Sequence, residues 1–179
     1  EVGLGCWQLG GLCWGDIDEE GALQILSTAV DSGVNFFDTA DVYGVGRSET
    51  LIGRFLKDCP EELFVATKVG RMEPAYPDKY TEALVRQHTE DSLRRLGVEA
   101  LDLTQLHCVP VEVMRQGGIF EWLRGLKREG KIKAFGASVE SVDEALLCLD
   151  EAGLASLQII FNIFRQKPRS LFQKAAQKG

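Results

Sequence analysis

The sequence predicts an α/β fold built on a parallel sheet, and three features of its pattern support this prediction. Six short apolar runs have the character of strands, and each is followed by a segment with apolar residues at helical spacing. No two strands are joined by a short hairpin turn. Strict alternation of strand and helix is typical of parallel sheets covered by helices.

The predicted elements follow one another in regular order. We expect strands at residues 2–5, 34–38, 63–68, 101–107, 131–138 and 156–162. Asp18 and Ser48 are suitable caps for the first two helices, because a short polar side chain can satisfy free amide groups at a helix start. The third helix, at 81–96, ends at Gly97 and contains His88, which we expect on a solvated face.

Two architectures satisfy this alternation, an open doubly wound sheet and a barrel of parallel strands. An open sheet that binds dinucleotides usually has the pattern G-x-G-x-x-G after its first strand. Here Gly3 and Gly5 are followed by Gln8 where the third glycine belongs, so the pattern fails.

The barrel is favoured by polar residues at successive strand ends. In a (β/α)8 TIM barrel the active-site groups lie at the carboxyl ends of several strands, and Asp38, Lys68 and His107 occupy such places. We therefore predict that residues 1–179 form a single-domain partial barrel, truncated after the sixth βα unit. A complete barrel takes about 250 residues, so we expect a C-terminal quarter and some residues before Glu1 in the intact protein.

Composition excludes several classes of function. The net charge of −7 argues against nucleic-acid binding, which requires a cationic surface. No apolar run approaches the ~20 residues that span a bilayer, and no leader is evident, so we expect a cytoplasmic protein without a membrane partner.

The five scattered cysteines indicate neither a disulfide framework nor a metal site: Cys6, Cys13, Cys59, Cys108 and Cys148. Nothing indicates an oligomeric state.

The strand-end residues, together with Tyr43, suggest carbonyl chemistry. A phenol has a reference pKa of ~10, and the Lys68 ammonium would lower the pKa of Tyr43 toward the working range. Asp38 would keep that ammonium charged in an apolar site. His107 could donate a hydrogen bond to a substrate carbonyl. Such a set suits reduction of C=O by an external hydride.

Each of these residues also has a structural interpretation. An aspartate at a strand end is commonly a turn residue, a loop tyrosine is often part of the core, and a strand-end lysine is usually solvated. His107 could equally be an interior histidine with its hydrogen bonds satisfied. Their occurrence at successive strand ends favours the functional interpretation.

Five segments in order along the chain have a recognisable motif character: Phe37-Asp38-Thr39-Ala40-Asp41-Val42-Tyr43-Gly44, Ala66-Thr67-Lys68, Asp102-Leu103-Thr104-Gln105-Leu106-His107, residues 130–138 and residues 157–162. They resemble the second to sixth strands of the aldo-keto reductases, and the resemblance covers nearly the whole length of the chain. The resemblance implies a barrel that binds NADPH, or less often NADH, and a small-molecule carbonyl or alcohol substrate.

The resemblance also implies roles for individual residues. Tyr43 matches the proton donor, Lys68 and Asp38 its tuning pair, and His107 the residue that orients the carbonyl.

The cofactor residues implied are Ser138 and Gln158 for the nicotinamide carboxamide, and Gly5, Cys6 and Trp7 for the turn beneath the nicotinamide and ribose. Trp7 and Trp14 could also line the substrate pocket. Val139 stands where many members have a second carboxamide contact, an asparagine.

Other functions stay open on the sequence alone. One is a nicotinamide-binding regulatory or sensing barrel with little turnover. A second is a lyase in which Lys68 forms a Schiff base with a carbonyl. A third is that the chain as it stands is an inactive fragment.

Overall fold

The structure, a computed structural model, describes residues 2–11, 15 and 17–178. Cys13, Trp14 and Asp16 lie outside these residues, so the predicted role of Trp14 in the pocket stays a prediction. Among the described residues, no helix combines the length and apolar character needed to cross a bilayer.

Six parallel strands form one sheet in the order β1-β2-β3-β4-β5-β6, which confirms the predicted α/β partial barrel. Each strand pairs with the next one in the chain, and helices cover the outer side. The strands are β1 Leu4–Gly5, β2 Phe36–Asp38, β3 Phe64–Val69, β4 Leu101–His107, β5 Ile132–Val139 and β6 Leu154–Ile159. The last strand therefore ends earlier than predicted, and Asn162 instead forms an isolated bridge with Arg165.

The helices are α1 Glu19–Asp31, α2 Arg47–Asp58, α3 Glu82–Leu96, α4 Val111–Arg115, α5 Gly118–Arg128, α6 Val142–Leu149 and α7 Arg169–Lys178. A 3-10 turn, Trp7–Gly10, follows β1, and neither this turn nor the short α4 was predicted. Both are too short for a helical period to be visible in the sequence.

The predicted cap is confirmed for α1 and wrong for α2. The Asp18 side chain accepts a hydrogen bond from the amide of Gly21, as an N-cap should. Helix α2 starts one residue before Ser48, with Gly46 at its cap position. Ser48 is buried, and its hydroxyl instead donates to the carbonyl of Cys6 at 2.8 Å.

The core lies between the sheet and its helices. Its largest members come from both layers, with Phe37 and Phe135 on strands and Leu26 and Phe120 on helices, all at most 1% exposed. Burial of these side chains, each stabilising by roughly 1.5–3 kcal/mol, fixes which strand face points outward. Polar residues lie on the other face of the sheet and at the carboxyl ends of the strands.

Candidate active site

The structure brings together the four residues for which the sequence suggested chemistry. Asp38 ends β2, Lys68 is the penultimate residue of β3, and His107 ends β4. Tyr43 lies in the loop between β2 and α2. Because the strands are parallel and adjacent, their carboxyl ends meet at one edge of the sheet.

Lys68 and Asp38 form a buried ion pair. The Lys68 Nζ lies 2.5 Å from Asp38 Oδ1 and 2.8 Å from the carbonyl oxygen of Thr39, and the lysine side chain is 2% exposed. Burial lowers the pKa of Lys68, and Asp38 opposes that effect by favouring the charged amine. A Schiff-base lysine needs an amine free to attack, so an amine committed to these oxygens does not favour the lyase hypothesis.

Tyr43 is placed between the lysine and the histidine. Its hydroxyl oxygen lies 3.4 Å from Lys68 Nζ, and its ring meets that of His107 edge-on at a centroid distance of 5.7 Å. Trp7 stacks on the other side, with its ring centroid 6.1 Å from that of Tyr43. The phenol therefore has a fixed position and direction.

The expectation that Lys68 lowers the pKa of Tyr43 is wrong for this arrangement. Burial, followed by the negative charge of Asp38, raises the pKa of the phenol above its usual value. The ammonium of Lys68 is compensated by Asp38 at close range, so little net positive charge remains to favour the phenolate. Tyr43 consequently holds its proton at neutral pH.

His107 is a neutral imidazole in this structure. Burial, then the positive charge of Lys68, lowers the pKa of His107 to about 3. Its side chain is buried, and Nδ1 has no hydrogen-bond partner within residues 2–11, 15 and 17–178. A neutral imidazole has one N–H donor, which it can offer to a carbonyl oxygen without protonating it.

The loop with Tyr43 is fixed against the turn that follows β1. A Cβ atom on Gly44 would lie 2.3 Å from the carbonyl oxygen of Gly10, so only glycine fits this approach. Gly44 also has φ of +61°, which favours glycine. Arg47 donates to the carbonyl of Leu9, and Ser48 donates to that of Cys6. The sequence predicted none of these contacts, which join residues about forty positions apart.

The turn predicted to underlie a nicotinamide adjoins Asp38. The amide of Cys6 donates to the Asp38 carbonyl at 2.8 Å, and the Cys6 side chain is buried. A Cβ atom on Gly5 would meet no atom of the described residues within 4 Å, so none of these residues covers the backbone there. Trp7, which is 50% exposed, borders the same region.

Ser138 and Gln158 lie side by side at the ends of β5 and β6. They are register partners, and Ser138 is also paired with His107 in the neighbouring strand. The Gln158 Nε2 donates to Asp38 Oδ2 at 2.9 Å. Val139 is 3% exposed and belongs to the core. The site thus extends from β1 to β6 along one edge of the sheet.

A buried pair behind the tyrosine loop was missed by the sequence analysis. Asp41 is fully buried, and its Oδ2 lies 3.8 Å from Nδ1 of His88. No described residue makes a well-formed hydrogen bond to its carboxylate oxygens, and the backbone N–H of Val42 favours the charged form only weakly against burial. The prediction that His88 lies on a solvated face is wrong, since it is 7% exposed. It shares the buried stripe of α3 with Val85, Ser92 and Leu96, a helical spacing that could have revealed its burial.

Comparison with known proteins decides the family. The sequence model of the aldo/keto reductase family matches residues 1–179. The chain belongs to the aldo/keto reductase family. A probable aldo-keto reductase 1 of Glycine max is 37% identical over 147 residues, which cover 80% of this chain and 42% of that protein.

Solved structures of aldo-keto reductases have the same fold. The glycerol dehydrogenase AKR11B4 from Gluconobacter oxydans matches with a TM-score of 0.79 and 34% identity, over 98% of this chain and 56% of its own. The holo form of the aldo-keto reductase AKR11C1 from Bacillus halodurans matches with a TM-score of 0.85 and 28% identity, over 99% of this chain and 59% of its own. The chain spans about half the length of the curated relatives it matches.

No group of three or more His, Cys, Asp or Glu side chains is placed to hold a metal ion in the part of the chain that the structure describes.

Proposed function

We propose that this protein interconverts a carbonyl compound and an alcohol by hydride transfer with a nicotinamide cofactor, and that Tyr43 is the proton donor. The observation that supports this function is the convergence of Tyr43 with the Lys68–Asp38 pair and neutral His107. A phenol and an imidazole N–H directed at one place can share a single carbonyl oxygen. Membership of the aldo/keto reductase family supports the same reaction class.

NADP(H) is the cofactor we propose, with NAD(H) as the possible alternative, and the residues present fit its nicotinamide end. The open space over Gly5 and the exposed ring of Trp7 leave room for a flat ring beside Tyr43. Because Gln158 already donates through Nε2 to Asp38, its Oε1 is left to accept from a carboxamide. The adjacent hydroxyl of Ser138 can donate to the carboxamide oxygen.

The chain's own residues then supply proton transfer and orientation. The nicotinamide, when bound, supplies or accepts the hydride. His107 donates a hydrogen bond that orients and polarises the substrate carbonyl. Tyr43 delivers its proton to the same oxygen as negative charge develops there, and its contact with Lys68 Nζ orients the phenol. Because the pKa of Tyr43 is raised, the phenol carries its proton before the step.

Replacement of Tyr43 by phenylalanine tests the proton donor. We expect Tyr43→Phe to lower kcat for aldehyde reduction by about 10²–10⁴-fold, because general-acid catalysis typically contributes that much. Cofactor binding should persist, since the stacked ring is retained. Steady-state NADPH oxidation and a fluorescence titration of NADPH measure the two effects.

Tyr80→Phe is the matched control. The Tyr80 hydroxyl donates to the Gly70 carbonyl at 2.7 Å, whereas the described hydrogen bonds of Lys68 go to Asp38, Thr39 and Tyr43, so this variant should keep its rate. A Tyr43→Phe protein that reduces aldehydes normally would contradict the assignment of the donor. If the unmodified protein binds NADPH but never turns over, the regulatory barrel would replace the enzyme as the better proposal.

A further inference from the structure

Arg71 lies at the same edge of the sheet as the candidate site and has no role in the mechanism above. It follows β3 directly after Gly70 and stands three residues beyond Lys68. Gly70 packs against the segment after β4, since a Cβ atom there would lie 2.8 Å from Val109 Cγ2 and 3.9 Å from the backbone nitrogen of His107. The chain that leads into Arg71 therefore runs beside His107.

The guanidinium of Arg71 is exposed and has no carboxylate partner. Its central carbon lies 5.8 Å from the ring centroid of Tyr76, and a hydrogen bond to the Cys108 thiol uses part of its five N–H donors. Among the described residues, no Asp or Glu oxygen lies within 4 Å of it, whereas Arg86 and Arg95 have such partners.

The positive charge of Arg71 acts on side chains at the candidate active site. Burial, Lys68 and Arg71 together lower the pKa of His107. Burial raises the pKa of the neighbouring Cys108 thiol, and Arg71 acts against that increase. Glu140, exposed at the end of β5, acts on the same thiol in the opposite sense to Arg71. Arg71 is thus an available cation within electrostatic range of the proposed carbonyl position, in a chain whose net charge is −7.

A planar guanidinium has five N–H donors, and those that the Cys108 thiol does not use are suited to binding a carboxylate through two parallel hydrogen bonds. We propose that Arg71 binds a carboxylate of the substrate, so that the preferred substrates are aldehydes or ketones that also carry an acid group. This inference rests on the proposed function, because it assumes that the substrate carbonyl lies between Tyr43 and His107. A cofactor phosphate is the other possible source of an oxyanion, and the experiment below distinguishes the two.

Paired substrates that differ only in charge test this inference in the purified protein at its natural length. The pairs are 4-oxobutanoate with its methyl ester, and 4-formylbenzoate with its methyl ester, each assayed with NADPH. We expect the acids to be preferred in kcat/KM by about ten-fold, the usual scale of a charge-assisted hydrogen bond. Arg71→Gln should raise KM for the acids by about ten-fold and should lower kcat/KM for the acids about ten-fold more than for the esters. Arg71→Lys should restore part of the preference.

Lys127→Gln is the control for the change of net charge, because Lys127 is exposed in the last turn of α5, an outer helix. It should alter neither pair. Equal use of acids and esters, unaffected by Arg71→Gln, would overturn the inference and leave the proposed function standing. A weaker Kd for NADPH in Arg71→Gln, with KM for the acids unchanged, would assign Arg71 to a cofactor phosphate and also overturn it. No turnover of any aldehyde would overturn the proposed function and this inference with it.

Discussion

Asp38 is engaged on both carboxylate oxygens, and these contacts explain the charge balance of the site. One oxygen accepts from Lys68 and the other from Gln158. Burial is the largest cause of the raised pKa of Tyr43, and the negative charge of Asp38 is the second. Tyr43 in such a site keeps its proton at neutral pH and is available as the proton donor when a carbonyl is reduced.

Asp41 differs from Asp38 because no described side chain donates a hydrogen bond to its buried carboxylate, and its pKa predicts a dependence of stability on pH. Burial, followed by repulsion from Glu49, raises the pKa of Asp41 to about 7. Below about pH 4 the carboxyl is protonated in both the folded and the unfolded chain. Between pH 4 and 7 only the unfolded chain releases the proton, so the free energy of unfolding falls as pH rises. The loss caused by burying the charged carboxylate is complete above pH 7.

Asp41→Asn should remove this cost. We expect the variant to exceed the unmodified protein in free energy of unfolding by about 2–4 kcal/mol at pH 8 and to match it near pH 4, since one pKa unit corresponds to about 1.4 kcal/mol. Urea denaturation at both pH values measures the difference. Asp58→Asn, at an exposed position that ends α2, is the control and should change neither value by more than about 0.5 kcal/mol. A less stable Asp41→Asn at pH 8 would show that the carboxylate makes a favourable contact.

At the scale of elements, the loop between β2 and α2 determines where the phenol points. Gly44 contacts Gly10 in the turn after β1, while Arg47 and Ser48 bind carbonyls of that turn. Three separate contacts therefore hold two loops from different βα units together. Displacement of either loop would move Tyr43 relative to Lys68.

Gly44→Ala should reduce activity more than it reduces stability. The added methyl group meets the Gly10 carbonyl and forces the loop apart, so we expect kcat to fall by about 100-fold, as a misplacement near 1 Å can cause. Gly33→Ala is the matched control, because Gly33 also has positive φ but a Cβ there meets no atom within 4 Å. Aldehyde reduction and thermal unfolding of both variants separate the effects. Equal kcat values in the two variants would contradict a positioning role for the contact.

Strand ends could be predicted from the sequence because each buried run stops at a polar residue. This pattern located Asp38, Lys68 and His107, and it is local in the chain. Contacts between distant segments leave no such pattern in the sequence. For that reason Ser48 was predicted to cap α2, whereas its hydroxyl donates a hydrogen bond to the carbonyl of Cys6. The pKa of Tyr43 was mispredicted for a similar reason, since burial depends on the assembled fold.

At the scale of the whole molecule, the six described strands form one sheet in which β2 to β5 are inner strands and β1 and β6 are the outer ones of this set. Strand β4 is hydrogen-bonded on both sides, by β3 and β5, whereas β1 and β6 each pair with one strand among those described. Exposed apolar side chains follow β6, and Ile163 and Phe164 are 78% and 88% exposed. Local stability should therefore decline from the middle of the sheet outward.

Hydrogen exchange should follow this gradient. We expect amides of β4 to exchange most slowly and those of β6 to exchange at least about ten-fold faster, because opening an outer strand exposes less buried surface. Mass spectrometry of peptides from the two strands measures the ratio. Amides of β3, also paired on both sides, serve as the internal reference. Equal protection of β6 and β4 would mean that another element covers the β6 edge.

The bond from Gln158 to Asp38 also reports the curvature of the sheet. Four strand spacings lie between β2 and β6, yet one glutamine side chain bridges them across the concave side. A flatter sheet would break this bridge and leave Asp38 to Lys68 alone. A displacement of β6 would therefore alter the hydrogen bond to Asp38 in β2. Because Asp38 lies near Tyr43, such a displacement would change the electrostatic surroundings of the phenol.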